Sequence, residues 1–210
     1  MIKIKVGTDP KADVERVRRV REALGGIIQL SVDANGGWTV ADSIWAIRRM
    51  EPYDLVMAEQ PVHRQDVEGM AQVRRSVGVP IMADETVFTE REALEVIRRE
   101  AADMISVYPG KNGGILRARA IAKMAEAAGV PCHVGSNLEW DVGASAMAHL
   151  AVSTQNIVSE RYPADILGPL YHVDHVVTSP LRIEDGYAEV PSNPGLGVEL
   201  DEEKIREGTR

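Results

Sequence analysis

The chain has 210 residues, enough to bury one sizeable core. Its net charge of −8, with no basic stripe, argues against a nucleic-acid partner. The single cysteine, Cys132, excludes an internal disulfide, no apolar run reaches the length of a membrane helix, and the charged start Met1-Ile2-Lys3-Ile4-Lys5 is no signal peptide, so a cytoplasmic protein is expected.

Ile2 to Val6 alternates apolar residues with lysine and reads as a strand that turns at Gly7. Asp9-Pro10 opens a helix to about Leu24, with Val14, Val17, Val20 and Leu24 on one face, and Gly25-Gly26 stops it. The apolar run from Ile27 leads to Asp33, and Thr39 caps a helix to about Met50. The run from Leu55 leads to Glu59, a helix covers Val67 to Ser76, and the run from Val79 leads to Asp84. A helix near Glu90 to Arg98 precedes a strand from Asp103 to Tyr108. Gly113-Gly114 opens a helix to about Ala128, followed by a strand from Val130 to Gly135, a helix near Val142 to Val152, and a strand from Ile157 to Glu160.

Strand ends thus recur at Lys5, Asp33, Glu59, Asp84, Tyr108, Gly135 and Glu160, with a period of about 25 residues. A repeat of one strand plus one helix points to a TIM-type (β/α) barrel rather than an open sheet. Such a barrel closes with eight strands, of which seven are counted here, and the chain opens inside a strand. The expected fold is therefore α/β, an incomplete barrel over residues 1–162 that runs from the second strand to the eighth, with the first strand and anything upstream absent. Residues 163–210 are punctuated by Pro163, Pro169, Pro180, Pro191 and Pro194 and read as an irregular C-terminal tail packing outside the barrel, with a small hairpin around Asp185-Gly186.

Three acidic clusters end apolar runs: Asp33-Ala34-Asn35, Glu59-Gln60-Pro61 and Asp84-Glu85-Thr86, their leading acids 26 and then 25 residues apart. One acid after one strand is ordinarily a helix cap or a loop residue. Three at matched spacing fall at the C-terminal ends of successive parallel strands, where barrel sites lie. Gathered carboxylates repel one another and are costly to desolvate. A hard divalent cation removes that cost, and all-oxygen ligation suits Mg²⁺. Lys3 and Lys5 share a face of their strand. Pointing inward, they would lie beside the acids, where an ammonium near a cation loses its proton more readily and becomes a useful base. Lysines on an edge strand also block aggregation, and spacing alone leaves both readings open.

Lys3-Ile4-Lys5, Asp33-Ala34-Asn35, Glu59-Gln60-Pro61, Asp84-Glu85, Gly113-Gly114 and Ser136-Asn137-Leu138-Glu139 stand in an order and spacing that resembles the enolase superfamily. The resemblance is to its mandelate racemase/muconate lactonizing enzyme family, on the muconate-lactonizing and dipeptide-epimerase side, and spans nearly the whole chain. It implies Mg²⁺ held by Asp33, Glu59 and Asp84, with Lys5 as the base that takes an α-proton from a small carboxylate substrate, giving an enediolate. Lys3 would stand behind Lys5, and Asn35 and Glu85 beside the ligands. Glu139 matches a loop acid bordering the substrate in relatives, while its position also suits a helix start.

Two departures from the family pattern bear on the outcome. Relatives place a second catalytic lysine where this chain has Tyr108, a group that could serve as an acid but, with an ordinary pKa near 10, makes a poor base. Lys111 lies past that strand, where an anion-binding or surface role is expected. Relatives also carry a separate capping domain that shapes the substrate pocket, which is not found here. With one strong base, the expected outcome is β-elimination, a lyase that dehydrates a hydroxy acid or a hydroxylated imino acid. The alternatives are an isomerase of the same family (cycloisomerase, racemase or epimerase) and a truncated, non-catalytic fragment. A full-length form is expected to be a homo-oligomer.

Overall fold

A computed structural model of the chain describes residues 1–208. It divides into two compact units, one formed by Met1–Ser106 with Met124–Pro131, the other by Val107–Lys123 with the chain from Cys132 onward.

In the first unit, β1 (Ile2–Lys5), β2 (Leu30–Asp33), β3 (Leu55–Glu59), β4 (Ile81–Ala83) and β5 (Met104–Val107) follow one another in the sheet in chain order. Each pairs in parallel with the next. The intervening helices are α1 (Pro10–Leu24), α2 (Val40–Met50), α3 (Val67–Ser76) and α4 (Glu90–Arg98). This α/β succession is that of a (β/α) barrel, present in part, as the repeat predicts.

Local chemistry starts the helices where the sequence places them. Asp9 accepts from the Lys11 and Ala12 amides with Pro10 in the first turn. Thr39 accepts from Asp42 N, and Thr89 with Glu92 forms a capping box. The apolar face expected for α1 is narrower than its valine spacing suggests: Val17 is fully buried, whereas Leu24 is exposed. Ile27 and Ile28 lie outside β2 and are 94% and 38% exposed, so the strand is shorter than its apolar run.

The register positions the site. Lys5 is paired with Asp33, and Asp33 with Glu59. Leu30 pairs with Leu55 but Val32 with Ala58, so β3 carries an extra residue between these contacts. This irregularity brings Glu59 alongside Asp33, as bulges beside active sites do.

The second unit contains α5 (Pro109–Asn112), most of α6 (Ile115–Ala127), β6 (Cys132–Val134) and α7 (Asp141–Ser153). The strand expected at Ile157 to Glu160 is reduced to a parallel bridge between Cys132 and Ile157. The expected hairpin forms as β7 (Ile183–Glu184) and β8 (Tyr187–Ala188), antiparallel, with Asp185 and Gly186 at φ 51° and 82° in the turn. The chain ends its described part with an unanticipated helix, α8 (Glu202–Gly208). The segment after Pro163 is fastened to α7: Leu196 O accepts from Ser145 Oγ and His149 Nε2, and Asp141 accepts from Val176 N and pairs with His175 Nδ1. Among the described residues, no helix is long and apolar enough to cross a membrane.

Candidate active site

Asp33 and Glu59 end β2 and β3, and Asp84 follows β4 by one residue. Their exposures are 1%, 2% and 8%, so three carboxylates are withdrawn from water at neighbouring strand ends. Both lysines of β1 point toward them. Lys3 Nζ donates to Glu59 Oε2 at 3.1 Å and lies 3.8 Å from Asp33 Oδ2. Lys5 Nζ donates to Asp33 Oδ2 at 2.5 Å and to Asn35 Oδ1 at 2.9 Å. Both lysines are turned toward the acids, and β1 is at the same time an edge strand of the sheet. They differ in access: the Lys3 side chain is 22% exposed and that of Lys5 65%.

Asn35 and Glu85 complete the group. The Asn35 backbone is left-handed, at φ 43°, and its N–H donates to Asp33 Oδ1 at 2.9 Å. Its side-chain amide donates to Glu85 Oε1 at 2.8 Å. The Asn35 side chain therefore links Lys5 to Glu85, accepting from one and donating to the other. Glu85 Oε2 is buried with no partner. The Glu85 carboxyl is held above its usual range, mainly by burial, with the Asn35 hydrogen bond opposing the rise and the charge of Asp84 adding to it.

Gln60 and Thr86, which sequence reasoning passed over, brace the acids. The Gln60 carboxamide oxygen accepts from the Asp84 and Thr86 amides at 3.0 and 3.1 Å, and its NH₂ donates to Val62 O and Thr86 Oγ1 at 2.9 and 2.8 Å. Gln60 has φ 37° and is fully buried. A side-chain amide directly after a strand-ending acid was the available signal; its left-handed backbone was not, because only a few per cent of non-glycine residues adopt it.

The donor set fits a hard divalent cation. All three groups are carboxyls, and together they bury an excess of negative charge that a cation would offset: burial, then the negative charge of Asp33, pushes the Glu59 carboxyl up to about 8, with Lys3 opposing and Asp84 adding to the rise. Among the described residues, no three His, Cys, Asp or Glu side chains are gathered closely enough, as they stand, to hold a metal ion. Oxygens of Asp33 and Glu59 are turned to Lys3 and Lys5 instead.

Tyr108 and Glu139 belong to the second unit, where they form a cluster of their own. Tyr108 caps α5, is 3% exposed, and donates from its hydroxyl to Asn137 Oδ1 at 3.2 Å. Its ring lies under Lys111 Nζ, 5.0 Å from the centroid. Glu139 Oε2 accepts from Ser136 Oγ and Asn137 N at 2.8 and 2.9 Å, whereas Oε1 is buried and unpartnered. Asn137 is thus common to both, its side chain to Tyr108 and its amide to Glu139.

Comparison with known proteins adds family evidence. The family model described as Enolase C-terminal domain-like matches residues 1–204. The chain is 40% identical to L-Ala-D/L-Glu epimerase of Bacillus subtilis (strain 168) over 200 residues, covering 94% of this chain and 54% of that one. It is 35% identical to muconate cycloisomerase 1 of Rhodococcus opacus over 209 residues, covering 99% and 55%. The crystal structure of N-succinyl Arg/Lys racemase from Bacillus cereus ATCC 14579 superposes with a TM-score of 0.91 at 36% identity, covering 98% of this chain and 55% of that one. The chain thus spans about half the length of the relatives it matches.

Proposed function

The chain belongs to the enolase C-terminal domain-like family, within the mandelate racemase/muconate lactonizing group of the enolase superfamily, and from that premise we propose that it carries the catalytic part of an isomerase that removes the α-proton of a small carboxylate substrate. The supporting observation is the pairing of Lys5 with Asp33, in register at adjacent strand ends, with an exposed lysine amine beside buried carboxylates. The relatives named are an epimerase, a racemase and a cycloisomerase. They favour isomerisation over the β-elimination expected from the missing second lysine, and lend elimination no support of their own.

In this reading Asp33, Glu59 and Asp84 hold Mg²⁺. When bound, Mg²⁺ supplies positive charge against the substrate carboxylate, so that the charge gathered as the α-proton leaves is stabilised. Lys5, at the strand end open to solvent, takes the α-proton at Nζ as the neutral amine, and the ammonium so formed donates to Asp33 and Asn35. Lys3, closer to the buried acids, keeps Glu59 and Asp33 partly neutralised. Asn35 fixes the Lys5 ammonium from the other side and hands the link on to Glu85. Tyr108 is the candidate proton donor for the return step, since its hydroxyl carries a proton that it already donates, to Asn137 Oδ1. Glu139, with a buried oxygen lacking a partner, is the candidate to receive a polar substrate group.

The test is incubation of the full-length protein with Mg²⁺ and candidate carboxylic acids in D₂O, followed by NMR. Loss of the α-proton signal with formation of an epimer or lactone supports the isomerase. A 2-keto acid or its imine, formed with loss of water, would restore the elimination reading.

A further inference from the structure

The geometry points to Asp13 as a positioning residue for Lys5, an assignment that rests on the reading of Lys5 as the proton-transferring group. Asp13 lies in the first turn of α1 and is completely buried. Its Oδ2 accepts from Gly7 N at 2.9 Å, Thr8 N at 3.1 Å and the Trp38 indole Nε1 at 3.1 Å. Its Oδ1 accepts from Arg16 Nη1 at 2.5 Å, and the same Nη1 donates to Lys5 O at 3.1 Å. The donors come from separate stretches: Gly7 and Thr8 directly follow the strand of Lys5, and Trp38 lies in the loop that follows Asp33 and Asn35.

A buried carboxylate is tolerated only when its charge is matched by donors. Here Arg16 of the same helix supplies the opposite charge, and the three donors to Oδ2 are supplied by bringing two loops together. The approach is close: a Cβ on Gly7 would lie 2.3 Å from Ala34 O, and one on Gly37 would lie 2.2 Å from Gly7 O. Through Arg16 the clamp reaches the backbone of Lys5 itself; through Trp38 it reaches the loop bearing Asn35, which receives the Lys5 ammonium. Asp13 reaches Lys5 through Arg16 and through the loop of Trp38, so its effect on proton transfer is indirect.

Trp38→Phe removes one N–H and preserves most of the ring's packing, and Asp13→Asn replaces half the carboxylate by a donor. Both are made in the full-length protein beside Asp103→Asn, which disturbs another acid that accepts from Arg74 and from the Ile81 amide. The expected result is a fall in kcat for α-proton exchange of about 10- to 100-fold, the cost of a misplaced base, with KM near its wild-type value. Amide exchange at residues 7, 8 and 34–38 should accelerate, while β3 and β4 stay protected. A kcat unchanged in Trp38→Phe, or one that falls only as far as Asp103→Asn lowers it at matched thermal stability, overturns the assignment. If the wild-type protein exchanges no α-proton with any acid, the reading of Lys5 as base fails, and amide exchange alone then decides: acceleration confined to the two loops supports the clamp, and unchanged exchange overturns it.

Discussion

Lys3 Nζ lies between two buried carboxylates, 3.1 Å from Glu59 Oε2 and 3.8 Å from Asp33 Oδ2. Lys3 is therefore shared between two buried acids, of which only Asp33 has a second partner in Lys5, and Asp84 adds a third acid nearby. The consequence is visible in Glu59, whose carboxyl is pushed up to about 8 from an ordinary 4.5, by burial first and by Asp33 next. Between those values the folded chain holds a proton that the unfolded chain has released. Stability without divalent cation should therefore fall as pH rises through that window. The slope is at most about 1.4 kcal/mol per pH unit. Mg²⁺ should raise the melting temperature more at pH 8 than at pH 5, because at low pH it must displace the proton. Thermal unfolding with chelator or with Mg²⁺ at both values checks this, and Glu59→Gln should flatten both dependences. A wild-type melting temperature insensitive to Mg²⁺ at pH 8 would remove these acids from the metal assignment.

Lys5 and Lys3 make a second test because they share a face but differ in exposure. Lys5→Ala should lower α-proton exchange by at least about 100-fold, the lower end of what a positioned base contributes. Lys3→Ala should cost less in rate but weaken Mg²⁺ binding or the fold, since it leaves Glu59 and Asp33 with a lost counter-charge. Single-turnover exchange kinetics and calorimetry separate the two. Exchange that persists in Lys5→Ala would move the role to another residue.

Asn35 links Lys5 to Glu85, and its loss should be felt at both ends. Asn35→Ala leaves the buried Glu85 carboxyl without its amide donor, so its carboxyl, already raised, should rise further. Exchange should slow by about 10-fold, a deletion worth roughly 1.4 kcal/mol, as expected for a hydrogen bond to a charged group. Asn35→Asp should be worse, because it sets a negative charge against Glu85. Equal rates for Asn35→Ala and the wild type would show that Lys5 is positioned without it.

Much of this site was legible in the residues because acids terminate apolar runs. Asp33, Glu59 and Asp84 each close a strand or follow one directly, and strand ends in a parallel sheet face one way. The positions missed are those where the deciding fact is not local. An acid in a first helical turn suits the helix dipole, so Asp13 looked ordinary, although its four donors come from three places along the chain. Ile27 and Ile28 looked like strand because they are apolar, but burial belongs to tertiary contacts that composition does not contain. The segment Ile157 to Glu160 had strand composition yet forms a bridge at Ile157 alone, with Val158 N and Asn156 O bonded to the backbone of Cys132. The charged Glu202–Gly208 helix was hidden by the prolines before it.

The proposed role of Tyr108 as proton donor has its own test. Its hydroxyl donates to Asn137, and Tyr108→Phe removes that hydroxyl with little change in packing. If Tyr108 returns a proton in isomerisation, the variant should still wash the α-proton into solvent through Lys5 while product formation drops by about 100-fold, the scale of a lost general acid. The ratio of exchange to product, measured in one NMR time course, should therefore rise. A ratio equal to that of the wild type would assign the second proton transfer elsewhere.

The last prediction concerns the approach of the loops after β1 and β2. Gly7 has φ 102°, a conformation that side chains rarely adopt, and its missing Cβ would stand 2.3 Å from Ala34 O. Gly7→Ala therefore has two costs, backbone strain and a clash with a carbonyl that belongs to the Asp33 loop. Neither side can yield alone, because Val6 N donates to Asp33 O and Gly37 N donates to Ala34 O. The loops must part, and the hydrogen bonds from Gly7 and Thr8 to Asp13 part with them. The loss should exceed about 2 kcal/mol, in the range of strain at a special backbone conformation combined with overpacking. In a chain of this size that lowers the melting temperature by about 4 to 8 °C. Gly26→Ala is the comparison, since a Cβ there meets nothing within 4 Å and its backbone is not left-handed; it should unfold within a degree or so of the wild type. Because one loop directly follows Lys5 and the other carries Asn35, Gly7→Ala should also reduce α-proton exchange well below the fraction of folded protein. If circular dichroism shows the two alanine variants unfolding together, the close approach of these loops is not what holds the strand ends in place.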